Sequence, residues 1–411
     1  MIIVVPLAMD PSINYGFVVT KLVSLQVLTI IGLSALVISR VIGALNIDRP
    51  RIPKSLAFVV TLLTAWLLLT SLVAFDRERS WLGSIEWRNG LRTKLMLLGM
   101  AWLVFSTTSL PHAPKQLLAA LIWTSTPIAL YGLLQAIGFD PIDWYYTTFV
   151  FSTLGNANHL AAYLAMIAPL TLAYLFTHAR GLMSSWAAIV LLGAQLVTMI
   201  MTKSRGGLLA VALGLGLILL WRWRRPTEAA LKWFVIGAVL SLLGTFAIAS
   251  SGDTIYLGTD GTEPRPAVWL TATNAIFARP LTGWGLASFE FAHGPHASSV
   301  FREHIVSTGN LWDRTHNIWL EWGVELGLPG IILSAMMLFA VLRIGFHAAS
   351  GTSLHRWTIL GCVAALLTAF IQQLLNTSSL GTETVFWWIV GLTVGLSTLP
   401  TLLQPTPLEA P

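Results

Sequence analysis

The stretch Thr202-Lys-Ser-Arg-Gly-Gly-Leu-Leu-Ala-Val-Ala-Leu-Gly-Leu-Gly-Leu-Ile-Leu-Leu-Trp-Arg-Trp-Arg-Arg225 decides the fold. From Gly206 to Trp221 it contains no charged or amide side chain. A helix of that length and composition crosses a bilayer, because only a helix satisfies its own backbone there. Trp221 and Trp223 suit the membrane interface, and Arg222, Arg224 and Arg225 mark the cytoplasmic end. The other end carries Lys203 and Arg205, two cations that oppose the insertion bias.

Similar runs recur along the 411 residues, of which 55% are hydrophobic and only 10% charged. A soluble domain is usually about 25% charged. So few charges cannot build a solvated surface, and the 18 Trp residues fit interfacial belts. Spanning segments are expected near Val18–Leu45, Lys54–Phe75, Leu91–Ser109, Pro114–Gly138, Asn158–Thr177, Ser185–Thr202, Gly206–Trp223, Leu231–Ser250, Gly323–Arg343, Arg356–Asn376 and Glu383–Leu399. The expected fold is all-α: a polytopic transmembrane bundle of about eleven or twelve spans, forming one integral membrane domain over 1–411. Met1–Leu7 is apolar but too short to span, and reads as an interfacial segment or the remnant of a further span. The single Cys362, inside an apolar run, reads as a small core residue.

One connection is long. Residues 251–322 are polar and rich in Gly, Pro and His. Basic residues in the short loops (Arg40 to Lys54, Lys115, Arg180, Arg222 to Lys232, Arg343 and Arg356) put those loops inside and the long loop outside the cell. About half of the 24 Lys and Arg nevertheless fall on the outer side, including Arg77, Arg79, Arg88, Arg92, Lys203, Arg205, Arg265, Arg279, Arg302 and Arg314. Asp76, Glu78 and Glu86 can neutralise the group from Arg77 to Arg92. Lys203 and Arg205 lack such neighbours, so an anion at the outer interface is their expected partner, against plain snorkelling to lipid phosphates.

Four segments could carry chemistry. In Thr202–Gly207, Arg205 can grip a phosphate bidentately, Lys203 adds a point charge, and Gly206 and Gly207 permit close backbone approach at a helix N-terminus. Pro264–Pro280 reads as a helix of three to four turns with Trp269, Ala272, Thr273 and Ile276 on one face. Arg265 sits at its start, where the helix dipole disfavours a cation, so a bound anion or a plain interfacial position must account for it. Pro280-Leu-Thr-Gly-Trp-Gly285 reads as a structural turn. In Asp313–Gly330, His316 and Asn317 stand where the long loop becomes a spanning helix. A His there can take a proton near neutral pH, and Glu321 and Glu325 follow one and two turns on, either catalytic or paired with a loop Arg. Finally, Asn156, Asn158 and His159 precede a span; Asn158 could cap that helix, while Asn156 and His159 could touch a sugar or phosphate, or serve only turn and cap. A metal site would draw on His293, His296, His304 and His316, but Gly-Pro between the first two is a turn and fixes no third ligand. Asn376-Thr-Ser378 has the form of an N-glycosylation site and is taken as chance.

In combination and in order, these strings resemble the O-antigen ligase and polymerase superfamily: Gly155-Asn-Ala-Asn158 before a helix, Ser204-Arg-Gly206 between helices, Arg265 with Trp269, Pro280 and Gly283-Trp-Gly285, then His316-Asn317 leading to Glu325, Gly327 and Gly330. The resemblance covers most of the chain from about Asn89. It implies a glycosyltransferase of polysaccharide biosynthesis in the bacterial inner (cytoplasmic) membrane. Such an enzyme moves a glycan from an undecaprenyl (polyprenyl) pyrophosphate carrier to an acceptor hydroxyl on a membrane lipid, as in lipopolysaccharide, or on another glycan, at the extracytoplasmic face. It implies that Arg205 and Arg265, with Lys203, hold the pyrophosphate, that His316 receives or orients the acceptor proton, and that Asn156, Asn158, His159, Asn317 and Glu325 contact substrate. No metal, other cofactor or nucleic acid is expected. The alternatives are a polymerase of the same superfamily, whose donor chemistry is shared, and a flippase or transporter for such lipids, which would want ionisable groups at mid-membrane depth.

Overall fold

The computed structural model describes residues 1–42, 51–144, 150–177, 184–224, 265–309, 312–351, 353 and 355–399. The expected span near Leu231–Ser250 and the start of the long loop lie outside the described residues. Among them, the chain forms α1 (Val4–Leu7), α2 (Gly16–Val41), α3 (Lys54–Leu72), α4 (Arg77–Leu82), α5 (Leu91–Thr107) and α6 (Ala113–Ala136). A 3-10 turn at Ser152–Leu154 leads to α7 (Ala157–Leu175), α8 (Ser185–Met201) and α9 (Arg205–Arg224). Then come α10 (Arg265–Ala278), α11 (Phe289–His296), α12 (Ser299–Thr308), α13 (Ile318–Ser350), α14 (Arg356–Gln373) and α15 (Leu380–Ser397). Seven of these helices, α2, α3, α6, α7, α9, α13 and α15, are long and apolar enough to cross a membrane. The protein is a multi-pass helical membrane protein.

The bundle is organised around α7 and α14, which are buried along nearly their whole length. Small residues allow this: Gly361 faces Ala173 and Leu170, and Gly214 faces Thr368 and Pro169, so backbones approach closely without a side chain between them. The outer helices show lipid-compatible faces instead, with Ile31, Val37, Phe58 and Leu72 exposed. Val4–Leu7 is a single turn whose Val5 is buried in the main core.

Capping side chains set several starts. Ser184 accepts from the amide of Ala187 to begin α8, and a reciprocal Ser379–Thr382 capping box begins α15. Asn156, rather than Asn158, caps α7, accepting from the amide of Asn158. Helix α13 starts at Ile318, earlier than the run beginning at Gly323 that hydropathy marks, because Asn317 caps it by accepting from the amides of Trp319 and Leu320.

Helix α13 is broken at Gly327, which has φ 70° and ψ −174°. A break frees carbonyls that need donors inside a membrane protein. Three donors are supplied from elsewhere. The amide of Trp284 donates to Val324 O at 2.8 Å, the amide of Gly285 to Glu325 O at 3.0 Å, and Trp66 Nε1 to Leu326 O at 2.9 Å. On the far side of the break the amide of Leu328 donates to Pro280 O at 2.8 Å. The turn from Pro280 to Gly285 is structural, as its composition indicates.

Candidate active site

At one end of the bundle the starts of α7, α9, α13 and α15 meet the end of α14 in a non-helical connection, Leu374 to Ser379. The other side chains grasp this connection. Arg265, at the start of α10 and 5% exposed, donates through a guanidinium nitrogen to Leu375 O. Asn317 Nδ2 donates to Leu374 O at 2.9 Å, and Arg314 donates to Ser378 O at 2.9 Å. The first turn of α9 abuts it too: a Cβ on Gly206 would lie 2.9 Å from Asn376 Nδ2. Gly207 faces Ala161 of α7 at 2.7 Å by the same measure. Both glycines are close-packed, Gly206 against the connection and Gly207 against α7.

His316 stands beside this connection. It adopts a left-handed backbone conformation with φ 53°, which His tolerates better than bulkier residues. The residues on either side are pinned. Thr315 donates through its amide (3.0 Å) and hydroxyl (2.8 Å) to Glu321, and its carbonyl accepts from Trp269 Nε1 at 3.1 Å. Arg314 Nε donates to the other oxygen of Glu321 at 2.8 Å. Glu321 is thus paired with a loop arginine, one of the two roles open to it in the sequence. Glu325 accepts instead from the amide of Ala287 at 2.8 Å.

The electrostatics differ from the sequence expectation. Burial, followed by the positive charges of Arg265 and Arg314 and by neighbouring His159, lowers the His316 pKa to about 3. The imidazole is therefore neutral at pH 7, not poised near neutrality. Its Nδ1 is shut away from solvent and has no hydrogen-bond partner among the described residues. Burial acts against the charge of Arg314, but Glu321, Glu325, Glu383 and Asp313 raise its pKa, so it stays cationic. Burial pushes Asp313 up to about 6, against the pull of Arg314 and of its hydrogen bond from Trp87 Nε1.

The remaining candidates divide into tied and untied groups. Asn156 is the α7 cap, and Asn158 Oδ1 accepts from Ser204 Oγ at 2.7 Å, joining α7 to the Thr202–Gly207 turn. His159 is buried and meets Trp87 edge-on at 5.4 Å. Lys203 (φ 58°) and Arg205 are exposed, and their side chains make no ion pair or hydrogen bond among the described residues. Most other outer cations have protein partners: Arg79 pairs with Glu290 rather than with Asp76, which caps α4; Lys94 pairs with Glu383 at 2.8 Å; Arg279 stacks on Trp284 at 4.3 Å. His293 is enclosed by Phe289 and Phe301, and His296 packs on Trp284. Among the described residues no three His, Cys, Asp or Glu gather as metal ligands.

Below the Leu374–Ser379 connection lies a cavity of about 140 Å³. Lys94, Arg314, Glu321, Glu325 and Asn376 line its polar part, and Leu67, Met337, Phe386 and Trp387 its apolar part. Sequence reading missed Lys94, Glu383, Trp87 and the whole α14–α15 connection. Lys94 and Glu383 sit inside apolar runs, where an isolated charge is a signal of pairing.

Residues 186–335 match the family model described as O-antigen ligase. No curated protein matches the chain.

Proposed function

We propose, for a chain whose residues 186–335 match the O-antigen ligase family model, that it transfers a glycan from a polyprenyl pyrophosphate carrier to an acceptor hydroxyl at the extracytoplasmic face of the bacterial inner membrane. The observation that carries this reading is the meeting of Arg265, Asn317 (the residue after His316) and the first turn of α9, which bears Arg205, around one connection, Leu374 to Ser379. Lys203 and Arg205 are cations with no protein counter-ion among the described residues, and a dianionic pyrophosphate supplies one. The donor breaks its C1–O bond to the pyrophosphate as the acceptor oxygen bonds C1. His316 takes the acceptor proton, and the polyprenyl pyrophosphate leaves with its charge held by Arg205 and Arg265.

The depressed basicity of His316 fits an ordered use of this base. Burial, and after it the charges of Arg265 and Arg314, suppress protonation of the imidazole. A bound pyrophosphate offsets those charges and raises its proton affinity. The base is therefore stronger with the donor in place than without it.

The test is transfer by purified protein in nanodiscs from a synthetic polyprenyl pyrophosphate glycan, with no added metal. Wild type should transfer, and Arg205→Ala, Arg265→Ala and His316→Ala should each lose most turnover while remaining folded. Full turnover by all three variants, or carrier-glycan translocation by the wild type without a covalent product, would refute the reading.

A further inference from the structure

Asn376 sits in the middle of the connection that gathers the site. It is 4% exposed, yet its Oδ1 is closed off from solvent with no partner, and among the described residues its carboxamide makes no hydrogen bond. The polar groups on either side of it along the connection are paired. Leu374 O accepts from Asn317, Leu375 O from Arg265 and Ser378 O from Arg314; Ser378 Oγ donates to Glu383 at 2.6 Å and Ser379 caps α15. A buried amide left unpaired beside so many paired groups is costly and calls for an explanation.

The position supplies one. Asn376 lines the cavity beneath the connection, together with Trp322, Gln373 and Glu325. Its Nδ2 faces Gly206, the residue after Arg205, and any side chain there would press on the carboxamide. Its neighbour Leu375 carries the Arg265 contact. The amide therefore lies between the elements that bear both donor-binding arginines and the cavity.

A carboxamide offers one acceptor and two N–H donors. A pyrophosphate oxygen only accepts, and would leave Oδ1 unpaired. A sugar hydroxyl or acylamino group both donates and accepts, and satisfies both ends. The sugar nearest the phosphates is the one bonded to them. We infer that Asn376 reads the first sugar of the lipid-linked donor, through a ring hydroxyl or acylamino substituent; the inference rests on the donor proposed above. Asn376 is a specificity-determining contact, and the sequon it begins is buried as a binding group, not displayed as a modification site.

The experiment measures binding in nanodiscs to two probes: bare polyprenyl pyrophosphate, and the same lipid carrying one N-acetylhexosamine. Wild type should bind the sugar-bearing lipid about tenfold more tightly, a difference of about 1.4 kcal/mol. Asn376→Ala and the near-isosteric Asn376→Leu should abolish that difference and leave the affinity for the bare lipid unchanged. Both variants should melt no lower than wild type without ligand, since each removes an unpaired polar group. Equal wild-type affinity for the two lipids, a loss on both probes alike, retained discrimination in both variants, or a lowered melting temperature in both would overturn the inference. Transfer is measured separately. A wild type that discriminates through Asn376 but transfers nothing sinks the enzyme reading alone. A wild type that transfers while both variants keep the sugar preference sinks this inference alone.

Discussion

Arg314, ahead of α13, and Glu321, in its first turn, form a 2.8 Å ion pair, and the second carboxylate oxygen of Glu321 holds both the amide and the hydroxyl of Thr315. The pair thereby fixes the left-handed turn that presents His316. Removing one partner of a buried pair leaves the other charge uncompensated, at a cost of about 3–5 kcal/mol. Glu321→Ala should therefore lower thermal stability by that order. Glu321→Gln, which keeps an acceptor, should lose less stability but still reduce turnover. Melting in detergent and initial transfer rates check both, and an Ala variant with wild-type melting would remove the pair from this role.

Arg205 and Arg265 should separate in stability while agreeing in turnover. Arg205 is exposed and without a protein partner among the described residues, so Arg205→Ala should melt within about 0.5 kcal/mol of wild type. Arg265 is buried on Leu375 O, and a hydrogen bond from a charged group contributes about 1.5–3 kcal/mol, so Arg265→Ala should lose that much. Equal stability losses in the two variants would contradict the placement.

The His316 pKa sets a sign for acid behaviour. It falls from the ordinary 6.5 to about 3 in the folded protein, so between these values the unfolded chain binds more protons. Its contribution to stability is full above about pH 6.5 and is lost as pH falls toward 3. His316→Phe should thus lose less melting temperature than wild type between pH 7 and pH 5. Parallel losses in the two proteins would show that this imidazole is not held neutral.

Gly283 has φ 66°, and a Cβ there would lie 2.6 Å from the carbonyl carbon of Glu325. The left-handed conformation alone costs an L-residue roughly 1–2 kcal/mol. Gly283→Ala should cost more than this, because the clash falls on backbone at the helix break, and it should also depress transfer by displacing Glu325. A fully active, fully stable Gly283→Ala variant would mean that the turn and the break are not coupled.

Much of the bundle was legible because its helices announce themselves by apolar length. Every expected span whose residues are described appears as a helix, with ends moved by a few residues where a cap such as Asn317 decides. The helix at Arg265–Ala278 was legible from Pro266, Pro280 and the buried face of Trp269, Ala272, Thr273 and Ile276. The pairing of the charges was not. Arg79 finds Glu290, and Lys94 finds Glu383, at 211 and 289 residues' separation, which no local pattern encodes. Nor was the grip on the α14–α15 connection, because Arg265, Arg314 and Asn317 hold its backbone carbonyls, and any sequence has those.

The break in α13 has a consequence for biosynthesis. Trp66, Trp284, Gly285 and Pro280, the partners of the freed groups at Val324 to Leu328, all precede them in the chain. When the second half of α13 leaves the ribosome, every group that will complete its hydrogen bonds has already been made. The interruption can be closed as it enters the bilayer, without waiting for any later segment.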